Sequence, residues 1–231
     1  MIVLGIDTSD YINALGIVKD GDTLSEVNYE ATSSSIEKIT ENIDEVLKQA
    51  GLGLNDIDGI GVGLGPGSWT GIRIGVTVAK MLAFSLSKPL AGVPTLEVLA
   101  YNVHQEARPV FAVIDVGTGD TVYAGKYKVE SDAITRNGDY YVGDIDALAA
   151  LITEPAVITG GKANEFARAI TEKSEVEVDA VEARPGGEAV ASLAARRLLR
   201  GESDDVLSLT PLYLKESTAK AFVNKYRSTH T

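Results

Sequence analysis

Gly59-Ile60-Gly61-Val62-Gly63-Leu64-Gly65-Pro66-Gly67-Ser68-Trp69-Thr70-Gly71-Ile72-Arg73-Ile74-Gly75 changes character in its middle. Asp58–Leu64 reads as a buried strand. From Ile72 to about Ser87 the apolar residues take helical spacing. Between them lies a glycine-rich loop, Gly65-Pro66-Gly67-Ser68-Trp69-Thr70-Gly71. Glycines between a strand and a helix let backbone N–H groups converge on an anion. No lysine follows the last glycine, so the loop is not a Walker A motif, and Gly67-Ser68-Trp69 is not a nucleophile elbow. From spacing alone a tightly packed turn carries more weight than an anion cradle.

The rest of the chain repeats this alternation. Ile2–Asp7, Ile12–Val18 and Thr23–Glu30 read as three antiparallel strands. Ile36, Ile39, Ile43, Val46, Leu47 and Ala50 mark a helix that Gly51 ends. After the glycine loop and its helix come a strand at Pro89–Val93 and a helix from Pro94-Thr95 to about Glu106, with Thr95 as N-cap. The second half reads Val110–Val116, Thr121–Val129 and Asp139–Val142 as strands and Ile145–Ile152 as a helix. Ala156–Thr159 is a strand, and a helix follows Gly160-Gly161 to about Glu172. Val176–Val178 is a strand and Glu188–Arg200 a helix. Each half is therefore strand–strand–strand–helix–strand–helix. The fold class expected is α/β with two tandem halves, residues 1–106 and 107–231.

The 231 residues carry 21 Lys and Arg against 33 Asp and Glu, a net charge of −12. No basic block appears, which disfavours tight nucleic-acid binding by this chain alone. There is no cysteine, which excludes disulfides, thiolate metal sites and a thiol nucleophile. The two histidines, His104 and His230, cannot form an all-histidine metal site. His104 reads as a solvated helix-end residue. No stretch suits a membrane span or a signal peptide, so a cytoplasmic address is the expectation.

The helix after the glycine loop is apolar on every side. Ile72, Ile74, Val76, Val78, Ala79, Met81, Leu82, Ala83, Phe84 and Leu86 surround it, and Gly75, Ala79 and Ala83 form a ridge of small residues. Such a helix must be covered all round, by its own chain or by another.

Asp7-Thr8-Ser9 and Asp115-Val116-Gly117-Thr118 each follow the first strand of a half, and Gly160-Gly161 precedes a helix. This order loosely resembles the actin, Hsp70 and sugar-kinase (ASKHA) superfamily, in which two such turns face one nucleotide. Asp7, Thr8, Ser9 and Asp115 are thus candidate nucleotide-facing residues, although ordinary turn chemistry explains them as well.

The run Gly61–Gly75 resembles the signature of the TsaB (YeaZ) family, with Trp69 where Phe is usual and Ile72 where Leu is usual. The resemblance extends to Ile6-Asp7-Thr8-Ser9, to Gly92-Val93-Pro94-Thr95-Leu96-Glu97 and to Pro211-Leu212-Tyr213-Leu214-Lys215. Two departures stand out. Ser35-Ile36-Glu37 replaces the family's His-Ser-Glu, and Asp115-Val116-Gly117 replaces Asp-Ala-Arg.

The resemblance implies a non-catalytic partner of TsaD that acts with TsaE. The complex places a threonylcarbamoyl group on the adenosine beside a tRNA anticodon. ATP and metal are expected on the partner subunits, with no cofactor on this chain, and tRNA is reached only through the complex. The implied contact with TsaD uses Ile36, Ile39 and Ile43 of the first helix with Ile72, Gly75, Val76, Ala79, Leu82 and Ala83 of the second. The same face would form a homodimer in the absence of TsaD. Gly65, Pro66, Gly67, Ser68, Trp69, Thr70, Gly71 and Arg73 carry the family loop. The alternative is an ASKHA-type kinase or ATPase.

Overall fold

A computed structural model describes residues 1–31, 35–103, 106–115, 121–130, 133–174 and 176–214, with Ser35 and Ile36 described by backbone alone. The first sheet holds β1 (Ile2–Asp7), β2 (Ile12–Lys19), β3 (Asp22–Glu30), β4 (Gly59–Gly63) and β5 (Leu90–Val93), in the order β3-β2-β1-β4-β5. The β1–β2 and β2–β3 pairs are antiparallel; β4 lies parallel to β1 and β5 parallel to β4. The second sheet holds β6 (Val110–Asp115), β7 (Thr121–Val129), β8 (Ile134–Arg136), β9 (Tyr141–Asp144), β10 (Ala156–Gly160) and β11 (Val178–Glu182). Its order is β11-β10-β6-β7-β8, with β9 also paired to β7. Read from the antiparallel edge, both sheets share one order, with the first strand of each in the centre.

The period of two along a strand decides which helix covers which face. Leu4 and Ile6 of β1 point into a core with Ile39 and Ile43 of α1 (Ser35–Ala50) and Val76 and Ala79 of α2 (Trp69–Leu86). Val3 points the other way, onto Val190 and Ala194 of α6 (Gly187–Leu199). In the second sheet, α4 (Ile145–Leu151) and α5 (Ala163–Ser174) cover one face. α3 (Thr95–Tyr101) covers the other, with Leu96 and Leu99 against Val110, Ala112 and Tyr127.

The covering helices are therefore exchanged. α3 follows the first sheet but packs on the second; α6 follows the second sheet but packs on the first. α6 begins in direct backbone contact with the strands. A Cβ on Gly187 would fall 2.2 Å from the Leu15 carbonyl carbon, and one on Gly5 2.2 Å from the Gly187 oxygen. After α6 the chain returns along the first sheet. Leu90 and Asp204 form a β-bridge, and the Leu212 amide donates to the Leu64 oxygen at 2.8 Å. A division between residues 106 and 107 separates the strands of the two sheets but not the packed units.

Four local expectations change. Thr95 is the first residue of α3 rather than its cap, which is Pro94, and α3 ends at Tyr101 rather than near Glu106. Two short strands, β8 and β9, stand where one at Asp139–Val142 was expected. The last strand is Val178–Glu182 rather than Val176–Val178. The β4 strand and the ends of α1 and α2 lie within a residue or two of the sequence reading, because Gly51, Gly65 and Ser87 mark the turns beside them, whereas α2 starts at Trp69, three residues before Ile72 and inside the expected loop.

Candidate functional site

The two sheets meet at a cleft of about 1060 Å³. Its first wall is the β1–β2 turn. Asp7 is fully buried there, and its Oδ1 accepts from the Ser9 amide at 2.8 Å and from the Ser9 hydroxyl at 2.6 Å. Asp7 Oδ2 has no hydrogen-bond partner. Burial pushes the Asp7 carboxyl up to about 6, against the lowering effect of the Ser9 bonds.

The glycine loop is welded to this turn. Ser68 donates its amide to the Ser9 oxygen at 2.7 Å, and the Thr8 hydroxyl donates to the Gly71 oxygen at 2.8 Å. A Cβ on Gly71 would sit 2.0 Å from the Thr8 oxygen. The Thr95 amide donates to the Gly65 oxygen at 2.8 Å, and the Gly65 amide donates to Thr95 Oγ1 at 3.1 Å. Ser68 caps α2 by accepting from the Gly71 amide at 3.2 Å. These polar groups are spent within the chain, as a packed turn requires.

Trp69 projects from the loop into the cleft. The Arg73 guanidinium lies 4.3 Å from its ring centroid, and the Tyr213 ring lies 4.2 Å away, tilted by 34°. Arg73 Nε donates to the Tyr213 hydroxyl at 3.0 Å. The Pro211–Leu214 element thus belongs to the same site as the loop, although some 140 residues separate them.

The second wall is thinner. Asp115, at the end of β6, pairs with Lys162 just before α5. Arg184, between β11 and α6, pairs with Asp10 at 2.8 Å and lies 4.3 Å over the Tyr11 ring. Among the described residues, these two cations of the cleft wall each lie against a carboxylate. No group of three His, Asp or Glu side chains among them could hold a metal ion.

The sequence candidates are distributed as follows. Ser9, Ser68, Trp69 and Asp115 line the cleft with Pro66 and Gly67. Asp7 and Thr8 lie beneath it: Asp7 is buried under Ser9, and Thr8 is taken up by Gly71. Of the two carboxylates expected to face a nucleotide, Asp115 lines the cleft and Asp7 does not: its Oδ1 is bonded to Ser9 and its Oδ2 lies against Gly63. Val116–Asp120, His104, Lys215 and His230 lie outside the described residues.

The helix contacts expected for a partner lie inside this chain. Ile39, Ile43, Ile72, Val76, Ala79, Leu82 and Ala83 are between 0% and 9% exposed, and Gly75 is buried. The side chain of Ile36 lies outside the described residues. The small ridge exists to bring α2 down onto its own sheet: a Cβ on Gly75 would meet Thr8 Oγ1 at 2.2 Å. Beyond Trp69 in the cleft, α2 leaves outside Met81, 54% exposed, and Phe84, 72% exposed. Helical geometry puts both on the side away from Gly75, Ala79 and Ala83. Asp10, Lys162 and Arg184 were not signalled, because ion pairs between distant turns leave no local pattern.

A family model described as TsaD, tRNA N6-adenosine threonylcarbamoyltransferase, matches residues 27–221. The chain belongs to that family. Within it the similarity is to TsaB (YeaZ) proteins, as the Gly61–Gly75 run implied. It is 33% identical to the tRNA threonylcarbamoyladenosine biosynthesis protein TsaB of Bacillus subtilis, over 57% of this chain and 57% of that protein. The matched stretch spans little more than half the length of such curated relatives. A solved YeaZ from Pseudomonas aeruginosa is 26% identical, with a TM-score of 0.76, covering 92% of this chain and 99% of that one. A ROK hexokinase from Thermus thermophilus is 15% identical with a TM-score of 0.53, covering 86% of this chain and 100% of that one. It shares the fold alone, the two-domain ASKHA architecture. No helix among the described residues is long and apolar enough to cross a membrane.

Proposed function

We propose that this chain is a non-catalytic subunit in tRNA threonylcarbamoyladenosine biosynthesis and docks a TsaD-type catalytic protein through its α2 face. TsaE, ATP and the metal act on or with that partner, and tRNA is reached through the complex. One observation carries the reading: in a TsaD-family chain, α2 is packed inward yet keeps Met81 and Phe84 outside. Apolar side chains this exposed on a well-packed helix gain from being covered by another protein. The histidine and cysteine content supports a non-catalytic role, since two histidines 126 positions apart offer no paired motif. The contact is proposed on the outward residues of α2, not on its buried ridge.

The test is gel filtration of this chain with TsaD of the same organism, with and without ATP and TsaE. Co-elution is expected. Phe84→Asp is expected to weaken the complex at least tenfold, as loss of a central apolar anchor does, with an unchanged melting temperature. A complex that survives Phe84→Asp and Met81→Asp together sinks the placement. Separate elution of the unmodified proteins sinks the partner reading. If the chain alone hydrolyses ATP with magnesium and loses that activity in Asp115→Ala, the kinase or ATPase alternative replaces it.

A further inference from the structure

The chain crosses between the sheets at two matching points. The first is Val93-Pro94-Thr95, where β5 of the first sheet gives way to α3 on the second. The second is Ala183-Arg184-Pro185-Gly186, where β11 of the second sheet gives way to α6 on the first. Any change in the separation of the two sheets must bend the backbone at these crossings.

Each crossing is tied to a turn of the first half. The first is held by two backbone-centred bonds between Thr95 and Gly65. The second, ahead of the seat of Gly187 on β2, is held by side chains. Arg184 Nη1 donates to Asp10 Oδ2 at 2.8 Å, while Asp10 Oδ1 accepts from the Tyr11 amide at 2.7 Å. The carboxylate is thereby fixed before the arginine arrives, and the Tyr11 ring supports the guanidinium from below at 4.3 Å. The Arg184 oxygen in turn accepts from Asn102 Nδ2 at 3.4 Å, at the end of the helix that the first crossing begins. This contact joins the second crossing to the far end of α3. The ion pair is 43% and 27% exposed at its two side chains, so ions and solvent reach it.

The geometry points to a latch: the Asp10–Arg184 pair, seated on Tyr11, sets the opening of the cleft by clamping the second crossing to the β1–β2 turn. The first crossing moves with it through Asn102. The pair is the weak fastener of the two, because water and salt compete for it and not for the buried Thr95–Gly65 bonds.

Hydrogen exchange on the full chain tests this. The reporter is the Thr95 amide, whose bond to Gly65 spans the first crossing. The reference is the Ile60 amide, bonded to Pro89 inside the first sheet. Asp10→Ala and Arg184→Ala are each expected to speed Thr95 exchange about fivefold and to leave Ile60 unchanged, the change in opening ratio that a pair of this kind supports. The double variant is expected to go no further than either single one, since both remove the same interaction. For the unmodified chain, 1 M NaCl is expected to act like either substitution, because the screening length then falls to about 3 Å. The latch is overturned if Thr95 exchange stays constant in the single variants or in salt, or if the two effects multiply in the double variant. An equal rise at Ile60 also overturns it, since that is a general loss of stability.

Discussion

α2 and α5 occupy the same place in the two halves, each following the strand that lies parallel beside the central one, yet their outer surfaces differ. α5 buries Ala163, Phe166, Ala167 and Ile170 and shows solvent Glu165, Arg168, Glu172 and Lys173. α2 buries a comparable stripe and shows Met81 and Phe84 among Arg73 and Thr77. The starts of the helices differ at single positions. Gly71, in the first turn of α2, is pressed against Thr8, whereas before α5 the close approach is at Gly160, against the Val113 oxygen, and a Cβ on Gly161 would meet nothing within 4 Å. One helix is finished by solvent; the other is packed hard inside and left apolar outside. The repeated topology supplies the fold, and of these two helices only α2 leaves large apolar side chains in solvent.

The largest effect that could break this contrast lies on the inner side of α2. Ala79→Glu is expected to cost about 4 kcal/mol or more, because a charge would enter a fully packed apolar site. Denaturant unfolding that shows less than about 1 kcal/mol would mean the ridge is open. This variant therefore reports on folding, and the outward Phe84→Asp reports on docking.

Next comes the turn beneath the glycine loop. The Asp7 carboxyl is raised to about 6 from an ordinary 3.8, so the folded chain holds its proton more tightly than the unfolded chain. Its contribution is fully present below pH 4 and is lost as pH rises through about 6. The total loss is roughly 3 kcal/mol. Asp7→Asn is expected to flatten that part of the stability profile, measured by unfolding between pH 4 and 7. An unchanged slope would place the titration elsewhere.

The paired loops give a smaller and more specific comparison. Gly71→Ala is expected to cost about 2 kcal/mol by forcing the loop off Thr8. Gly161→Ala is expected to stay within about 0.5 kcal/mol. Equal costs would show that Gly71 and Gly161 are packed alike.

Smallest are the outer faces themselves. Phe84→Asp in α2 and Arg168→Ala in α5 should each leave the unfolding midpoint unchanged to within about 0.5 kcal/mol. Only the first should alter co-elution with TsaD. A loss of co-elution with both would spread the contact over both halves.

Much of the first half was legible because its signals are local. Gly51, Gly65 and Ser87 carry positive φ at turns and helix ends, and the strands between them are short apolar runs. In the second half the signals thin out. Ile134-Thr135-Arg136 is a strand only because β7 offers it an edge. Val178–Glu182 is broken by Asp179 and ends on Glu182, with no sustained apolar run, so its extent was set by pairing with β10. Within the site, the glycine loop and the Pro211–Leu214 element were visible as separate motifs. Their union through Trp69, Arg73 and Tyr213 was not, because stacking across 140 positions leaves no period in the chain.

The amino-acid order by itself determined the alternation of strands and helices, the repeated order of the halves and the family to which the chain belongs. Those follow from periodicity, glycine placement and a run of residues that few folds require. The exchange of α3 and α6, the burial of Asp7 and the inward turn of the small ridge were decided only in three dimensions. Each depends on which surface a helix or carboxylate meets, and an all-round apolar helix looks the same from every side until a sheet chooses one.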